Sequence, residues 1–133
     1  MDSATININM AKIVLIIEDD TFIQGLEATK LIKKGYAVLS ANDSIGAFKI
    51  LDVREDIDLV LLDILLPGED GFTILKKIRE KKMTQKIPVI VFSNLSAEKD
   101  IKQAIELGAN EFMIKSNFTL DDLAEKVKDL IGN

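Results

Sequence analysis

The sequence predicts an α/β fold in which a single five-stranded parallel sheet is covered by helices on both faces. Five short runs, at residues 13–17, 37–39, 59–62, 89–92 and 112–114, are apolar throughout and rich in β-branched residues, as strands buried on both faces are. Segments whose apolar residues recur at helical spacing follow each run. This alternation, repeated five times, is typical of βα units, and 133 residues are the length of one domain.

The first predicted helix covers residues 21–34 and ends at Gly35, a residue type that commonly terminates helices. Its apolar stripe consists of Phe22, Ile23 and Leu26. Glu27 and Lys30 interrupt this stripe, which makes the first helix the least regular of the five.

Clearer apolar stripes predict the other four helices. They lie at Ala47, Phe48 and Leu51, at Ile74, Leu75 and Ile78, at Ala97, Ile101, Ala104 and Ile105, and at Leu120, Leu123, Ala124, Val127, Leu130 and Ile131. Gly108 ends the fourth helix, and Thr119 with Asp122 three residues later is close to a capping box at the start of the fifth. We expect all of these stripes to face the core.

Composition excludes several classes of function. The chain has no Cys and no His, which excludes disulfide scaffolds, Cys or His metal centres and His-based catalytic triads. Its 17 Lys and Arg residues against 22 Asp and Glu give a formal net charge of −5. It therefore lacks the basic footprint of a nucleic-acid-binding domain, and we expect no direct contact with nucleic acid.

Residues 1–10 are predicted to form a loose N-terminal tail, and residues 11–133 a single folded domain. The tail has no basic start and no apolar centre, so it does not have the pattern of a signal peptide. No run approaches the roughly 18 apolar residues of a membrane span. We expect a cytoplasmic protein without membrane contact, which the lack of Cys also fits.

The residues that follow the predicted strands carry the chemistry. The first strand is followed by Glu18, Asp19 and Asp20, the third by Asp63, the fourth by Ser93 and the fifth by Lys115. In open parallel sheets, ligands bind beyond the carboxyl ends of the strands. We therefore expect carboxylates, a hydroxyl and an ammonium group to meet at one edge of the sheet.

Clustered carboxylates repel one another and need a cation or a raised pKa. Oxygen ligands without His or Cys select a hard cation, and two or three carboxylates with water suit Mg²⁺. A partly hydrated Mg²⁺ usually also holds a phosphoryl group, whose other oxygens a lysine and a hydroxyl can bind. A carboxylate in such a site can itself be the nucleophile and form an aspartyl phosphate.

Four segments carry a resemblance to a known family. They are Ile-Ile-Glu-Asp-Asp at residues 16–20, Leu-Leu-Asp-Ile-Leu-Leu-Pro-Gly-Glu-Asp-Gly at 61–71, Val-Phe-Ser at 91–93 and Ile-Lys-Ser at 114–116. With these segments in this order, the chain from residue 12 to its C-terminus resembles a response-regulator receiver domain. The resemblance implies the flavodoxin-like, CheY-like (βα)5 fold with strand order 2-1-3-4-5, which the apolar pattern alone does not give.

The resemblance also implies a metal site. Its ligands would be Glu18, Asp19, Asp63 and the backbone carbonyl of Leu65, with Asp19 binding directly and Glu18 through water. Mg²⁺ is the expected ion and Mn²⁺ the alternative. Asp20 lies one residue beyond the acidic pair, and we expect it to cap the first helix.

By the same resemblance, Asp63 is the phosphoacceptor, and Ser93 and Lys115 occupy the family's hydroxyl and lysine positions. Ser93 and Phe112 are then the switch residues, Phe112 being the aromatic that turns inward on activation. The domain would be a signalling domain rather than an enzyme, catalysing only its own phosphotransfer and dephosphorylation.

The predicted function is that of a stand-alone response regulator, which receives its phosphoryl group from a sensor histidine kinase or a phosphotransfer protein. Phosphorylation would change the face formed by the fourth helix, fifth strand and fifth helix. A downstream protein of unknown identity would read this face, and the chain would be a monomer or a phosphorylation-dependent dimer through it. Two alternatives stay open: a receiver-like scaffold that binds partners without phosphorylation, and a receiver excised from a longer regulator.

Two positions depart from the family pattern. Ser116 follows Lys115 where the family usually has proline, so we expect a trans peptide bond and a more mobile loop there. Asn94 follows Ser93 where a small residue is usual, and its larger polar side chain would stand at the mouth of the site.

Overall fold

The five apolar runs form one parallel sheet with the strand order β2-β1-β3-β4-β5. The strands are β1 (Ile13–Ile17), β2 (Ala37–Ala41), β3 (Leu59–Leu62), β4 (Val89–Ser93) and β5 (Glu111–Ile114). This order, found in a computed structural model that describes residues 11–133, confirms the fold that the sequence and its resemblance predict. The predicted tail, residues 1–10, lies outside the described residues.

Five helices connect the strands and follow them. They are α1 (Thr21–Lys33), α2 (Ser44–Leu51), α3 (Gly71–Glu80), α4 (Glu98–Glu106) and α5 (Leu120–Ile131), with a short 3₁₀ turn at Lys115–Asn117. Side chains cap four of the helix starts, because the first backbone N–H groups of a helix lack partners within it. Asp20 caps α1 as predicted, by accepting from the N–H groups of residues 22 and 23. Thr119 and Asp122 form the capping box of α5.

The helices cover the two faces of the sheet separately. Side chains alternate in direction along a strand, so Leu15 and Ile17 of β1 belong to the core under α2, α3 and α4. Val14 and Ile16 belong instead to the core under α1 and α5. Two apolar layers thus hold the sheet rigid, while the polar residues that follow the strands lie at its carboxyl edge.

The buried side of α1 differs from the prediction. Phe22 is 71% exposed and Leu26 is also exposed, while Glu27 and Leu31 are the buried residues of the helix. The inward row follows the four-residue spacing of Ile23, Glu27 and Leu31, which places a carboxyl where hydropathy favours an apolar residue.

The prediction that Ile105 of α4 faces the core is also wrong. Ile105 is 47% exposed, whereas Ala104 beside it is fully buried. Helix α4 is therefore turned so that Ala104, and not Ile105, points at the sheet. Within residues 11–133, no helix combines the length and apolarity that crossing a membrane requires.

Candidate functional site

Three carboxylates that follow two neighbouring strands converge at the carboxyl edge of the sheet. One oxygen from each of Glu18, Asp19 and Asp63 lies within 4.8 Å of the others. Glu18 and Asp63 are buried, while Asp19 is exposed. The cluster is therefore anchored in the protein on one side and open to water on the other.

The backbone of this cluster is fixed by the strands next to it. The N–H of Glu18 donates to Ala41 O (3.0 Å), and the N–H of Asp63 donates to Ile17 O (3.0 Å). The side-chain amide of Gln24, on α1, donates to the carbonyls of Glu18 (2.9 Å) and Ala41 (3.1 Å). These bonds connect α1, β1, β2 and β3 directly behind the acidic residues, so the backbone that carries the carboxylates is held in place.

Lys115 connects two of the carboxylates. Its ammonium group donates to Glu18 Oε1 and to Asp63 Oδ2, the latter at 3.0 Å. Burial lowers the pKa of Lys115, but the bonds to the two carboxylates outweigh this, and the net result is a raised pKa. The lysine is therefore charged at neutral pH and acts as the counter-charge of the site.

Burial raises the pKa of Glu18, and its bond to Lys115 offsets only part of that rise. Its other oxygen, Oε2, accepts from the N–H of Asp20 (3.2 Å). Both oxygens of Glu18 thus have a donor, which is how a buried carboxyl group is normally accommodated.

The donor set fits a hard divalent cation. Three carboxylates and one ammonium group leave the site with excess negative charge when all are ionised, and the three grouped ligand atoms are all oxygens. Oxygen ligands with room for water on one side are the environment that Mg²⁺ prefers.

The backbone after β3 closes around Asp63. The N–H of Leu65 donates to Asp63 Oδ1 (3.1 Å), so each carboxylate oxygen of Asp63 already accepts one hydrogen bond. Gly71 begins α3 against this turn, and a Cβ there would lie 2.5 Å from the carbonyl oxygen of Asp63 and 2.5 Å from the Cα of Ile64. The glycine is thus required for the close approach of α3 to the site.

Ser93 ends β4, Asn94 follows it and Phe112 lies in β5, and no hydrogen bond among the described residues joins their side chains to the three carboxylates. Ser93 is fully buried, and its Oγ accepts from the N–H of Leu95 (3.3 Å). Phe112 is half-buried and packs on the core under α2, α3 and α4. Asn94 is exposed. In the part of the chain that the structure describes, no peptide bond is cis, which agrees with the trans bond expected before Ser116.

Two polar residues of the site were missed by the sequence reasoning. Gln24 positions the backbone of Glu18, and no local pattern marks it out. Glu27 is buried on the inward side of α1, on the same helical face as Ile23 and Leu31, but hydropathy marks it as an interruption of an apolar stripe and not as a buried residue.

The five-stranded parallel sheet in this order, with an acidic cluster at its carboxyl edge, defines the CheY-like class of α/β domains, and comparison with known proteins identifies the family. The response regulator receiver domain matches residues 14–128, so the chain belongs to that family. Receiver domains of two-component systems are generally phosphorylated and bind Mg²⁺ in an acidic site.

Individual relatives agree with this assignment. The DNA-binding dual master transcriptional regulator RpaA of Synechocystis sp. is 34% identical over 118 residues, which are 89% of this chain and 48% of that protein. The chain therefore spans about half the length of this relative.

Solved receiver domains match over almost the whole chain. The CheY-like receiver domain protein of Methanospirillum hungatei JF-1 is 25% identical with a TM-score of 0.82, covering 90% of this chain and 92% of that one. The receiver domain of a signal transduction histidine kinase from Syntrophus aciditrophicus is 28% identical with a TM-score of 0.83, covering 91% and 90%.

Proposed function

We propose that this receiver domain accepts a phosphoryl group on Asp63 from the phosphohistidine of a sensor histidine kinase or a phosphotransfer protein. One observation carries the proposal: Asp63 accepts a hydrogen bond from the Lys115 ammonium group and has a carboxylate oxygen within 4.8 Å of oxygens of the acidic pair Glu18 and Asp19. This is the arrangement expected when a carboxylate nucleophile must share its site with a cation and a charged substrate.

The acidic residues would hold the metal. Asp19 would bind Mg²⁺ directly, Glu18 through water, and Asp63 and the Leu65 carbonyl would complete the protein ligands, with Mn²⁺ as the alternative ion. When bound, the ion supplies positive charge to the developing phosphoryl transition state. Asp19 is suited to the direct role because it is the exposed member of the three and is the most accessible to a hydrated ion.

In the transfer, a carboxylate oxygen of Asp63 attacks phosphorus and forms the new O–P bond. The P–N bond to the donor imidazole breaks, and the imidazole nitrogen keeps the electron pair and takes up a proton. Lys115, already 3.0 Å from Asp63 Oδ2, would follow the negative charge onto the phosphoryl oxygens. The leaving group must lie in line with the attacking oxygen, which the open, Asp19 side of the site allows.

The output would follow from the change in charge: the phosphoryl group carries about −1.5 to −2 at neutral pH and replaces the single negative charge of the Asp63 carboxylate. Ser93 would donate its hydroxyl proton to a phosphoryl oxygen, and Phe112 would turn inward. Both changes lie next to the face formed by α4, β5 and α5. We propose that a downstream protein reads this face, with the chain as a monomer or as a dimer that forms through it on phosphorylation.

Labelling decides between this function and a scaffold that works without phosphorylation. The chain is incubated with a small-molecule phosphodonor, with and without Mg²⁺, and its intact mass is measured. We expect an Mg²⁺-dependent gain of one phosphoryl group that Asp63→Asn abolishes. Asp129→Asn, which removes an exposed carboxylate on α5, is the control and should be labelled like the wild type. Labelling that persists in Asp63→Asn would contradict the acceptor, and no labelling at all would favour the scaffold.

Whether the domain acts alone is a separate question. We propose a stand-alone regulator that is located in the cytoplasm and has no membrane contact, and the net charge of −5 favours the absence of direct nucleic-acid contact. RpaA, described as DNA-binding, is about twice as long as the matched region. Determining the complete reading frame tests this prediction, and an additional domain in that frame would support the longer regulator instead.

A further inference from the structure

Glu27 is a buried carboxyl group that the proposed phosphotransfer does not use. It lies on the inward side of α1, one turn from Leu31, which is fully buried, and one turn from Ile23. Only 1% of its surface is exposed, and its Oε1 has no hydrogen-bond partner. A charged carboxylate in such a place is strongly disfavoured, so the group needs a proton or a nearby positive charge.

The charged groups that face Glu27 are those of the phosphoacceptor site. Lys115, Glu18 and Asp63 act on it through space, the lysine favouring its ionised form and the two carboxylates its protonated form. Among residues 11–133, no hydrogen bond or ion pair joins Glu27 to any of them.

The other elements packed against α1 bring no further charge to Glu27. Strands β1 and β2 contain no ionisable residue. Helix α5 contributes Asp121, which is exposed and paired with Lys30 and Lys34 on the outer surface. Tyr36, just beyond α1, donates its hydroxyl to Gly132 O. The charge of Glu27 is therefore set by burial and by the site.

Burial raises the pKa of Glu27 to about 8, with Lys115 opposing the rise and Glu18 and Asp63 adding to it. Near neutral pH most molecules then hold a proton on this carboxyl group. A change of charge in the site changes how firmly that proton is held, and by linkage the proton changes the affinity of the site for ions.

We propose that Glu27 is a proton-binding group coupled to the occupancy of the acidic site, so that Mg²⁺ binding releases its proton and its ionisation strengthens Mg²⁺ binding. The added cation favours the ionised form of Glu27, and the coupling must be reciprocal. This inference rests on the proposed metal site and deepens it: it makes the metal affinity of this receiver depend on pH near neutrality.

Calorimetry tests the coupling directly. Mg²⁺ is titrated into the chain at about pH 8 in two buffers that differ in ionisation enthalpy, which yields the number of protons released per ion. We expect a fraction of a proton released by the wild type and a clearly smaller release by Glu27→Gln, whose amide resembles the protonated acid. Glu55→Gln, an exposed glutamate in the loop after α2, is the control and should behave like the wild type.

Affinity across pH gives the second readout. We expect the Kd for Mg²⁺ to fall about fivefold or more between about pH 6.5 and about pH 9 in the wild type, and to change much less in Glu27→Gln. Equal proton release and equal pH dependence in the two proteins would overturn the coupling and leave the metal site standing. Absence of Mg²⁺ binding in the wild type would overturn both.

The pH dependence of stability, measured without metal, tests whether folded Glu27 holds a proton near neutral pH. Because the folded pKa lies above the ordinary value of 4.5, the stability that Glu27 contributes is present below about pH 4.5 and is lost as pH rises through about 8. The urea midpoint of the wild type should therefore fall across this window, relative to Glu27→Gln. Parallel pH profiles of the two midpoints would overturn the proposal, whatever the result with Mg²⁺.

Discussion

Replacing Asp63 by Asn is expected to stabilise the metal-free domain. Asp63 is buried and shares one counter-charge, Lys115, with the buried Glu18, while Asp19 lies close by. Asn is nearly the same size and keeps a carbonyl oxygen that can accept from the N–H of Leu65. The substitution therefore removes a charge while leaving the shape of the site largely intact.

The expected change in the free energy of unfolding is the balance of electrostatic contributions that oppose one another and are similar in size. At an effective dielectric constant of about 20, attraction across the 3.0 Å between Lys115 and Asp63 is worth about 5.5 kcal/mol. Repulsion from Glu18 within 4.8 Å is about 3.5 kcal/mol on the same scale, and from the water-exposed Asp19 about 1 kcal/mol. These nearly cancel, so relief from burying a charge decides the sign, and we expect a gain of about 1–2 kcal/mol.

Thermal and urea unfolding followed by circular dichroism measure this gain. For a domain of this size the melting temperature should rise by about 4–8 °C. Asp129→Asn removes an exposed charge and should change stability by less than about 0.5 kcal/mol. Adding Mg²⁺ should reduce the difference in stability between Asp63→Asn and the wild type, because the ion relieves the same repulsion in the wild type. A loss of more than about 1 kcal/mol in metal-free Asp63→Asn would refute the reasoning and show that the pair with Lys115 dominates.

Three further predictions concern the same edge of the sheet. Mg²⁺ should raise the melting temperature of the wild type by mass action, and Asp19→Ala should remove more of that rise than Glu18→Ala; equal effects would contradict the direct and water-mediated roles. The phosphorylated form should decay slowly, because Leu65 and Leu95 offer no hydrogen bond to an attacking water. Leu65→Asn and Leu95→Glu should each speed decay about three- to tenfold on a phosphate-affinity gel after donor removal, and a wild type as fast as the double variant would contradict this. Gly71→Ala should lower the free energy of unfolding by about 1–3 kcal/mol or more in urea titrations, since its methyl group would meet backbone at 2.5 Å; an unchanged midpoint would show that α3 can shift.

The sheet and its acidic edge were predictable because two simple signals coincide. Each strand contains an uninterrupted apolar run, and a polar residue follows that run at once, so the carboxyl edge can be predicted from the sequence. The strand ends were less predictable. Strand β2 continues through Ser40 because Ser40 pairs with Ile16 of β1, and this pairing, not the hydropathy of Ser40, decides where the strand ends. The strand order came from the family resemblance, since apolar periodicity carries no information about which strands are neighbours.

The buried side of α1 was not predictable by the same reasoning. Hydropathy assigns Phe22 and Leu26 to the core, but the four-residue row of Ile23, Glu27 and Leu31 points inward. Hydropathy treats a glutamate in such a row as a break in the apolar stripe, because burial of a carboxyl group is unfavourable unless charged groups nearby compensate for it. Recognising it requires knowing that Lys115, distant in sequence, ends a strand close to this helix.

Lys115 bonds both Glu18 and Asp63, which suggests that cation binding precedes the movement of this lysine toward a phosphoryl group. The lysine holds Glu18 and Asp63 together in the resting site, so it can move toward a phosphoryl group on Asp63 more freely when its bond to Glu18 weakens. A cation among the carboxylates would satisfy Glu18 and release Lys115 for that task, which is a reason for metal dependence beyond charge neutralisation. An ionised Glu27 beneath them would favour the same cation. On this hypothesis Lys115→Met should bind Mg²⁺ more tightly than the wild type in calorimetry, because the ion no longer competes with an ammonium group, while its transfer of phosphoryl groups falls. Weaker Mg²⁺ binding in Lys115→Met would show that the lysine organises the carboxylates for the ion, and the competition argued here would be wrong.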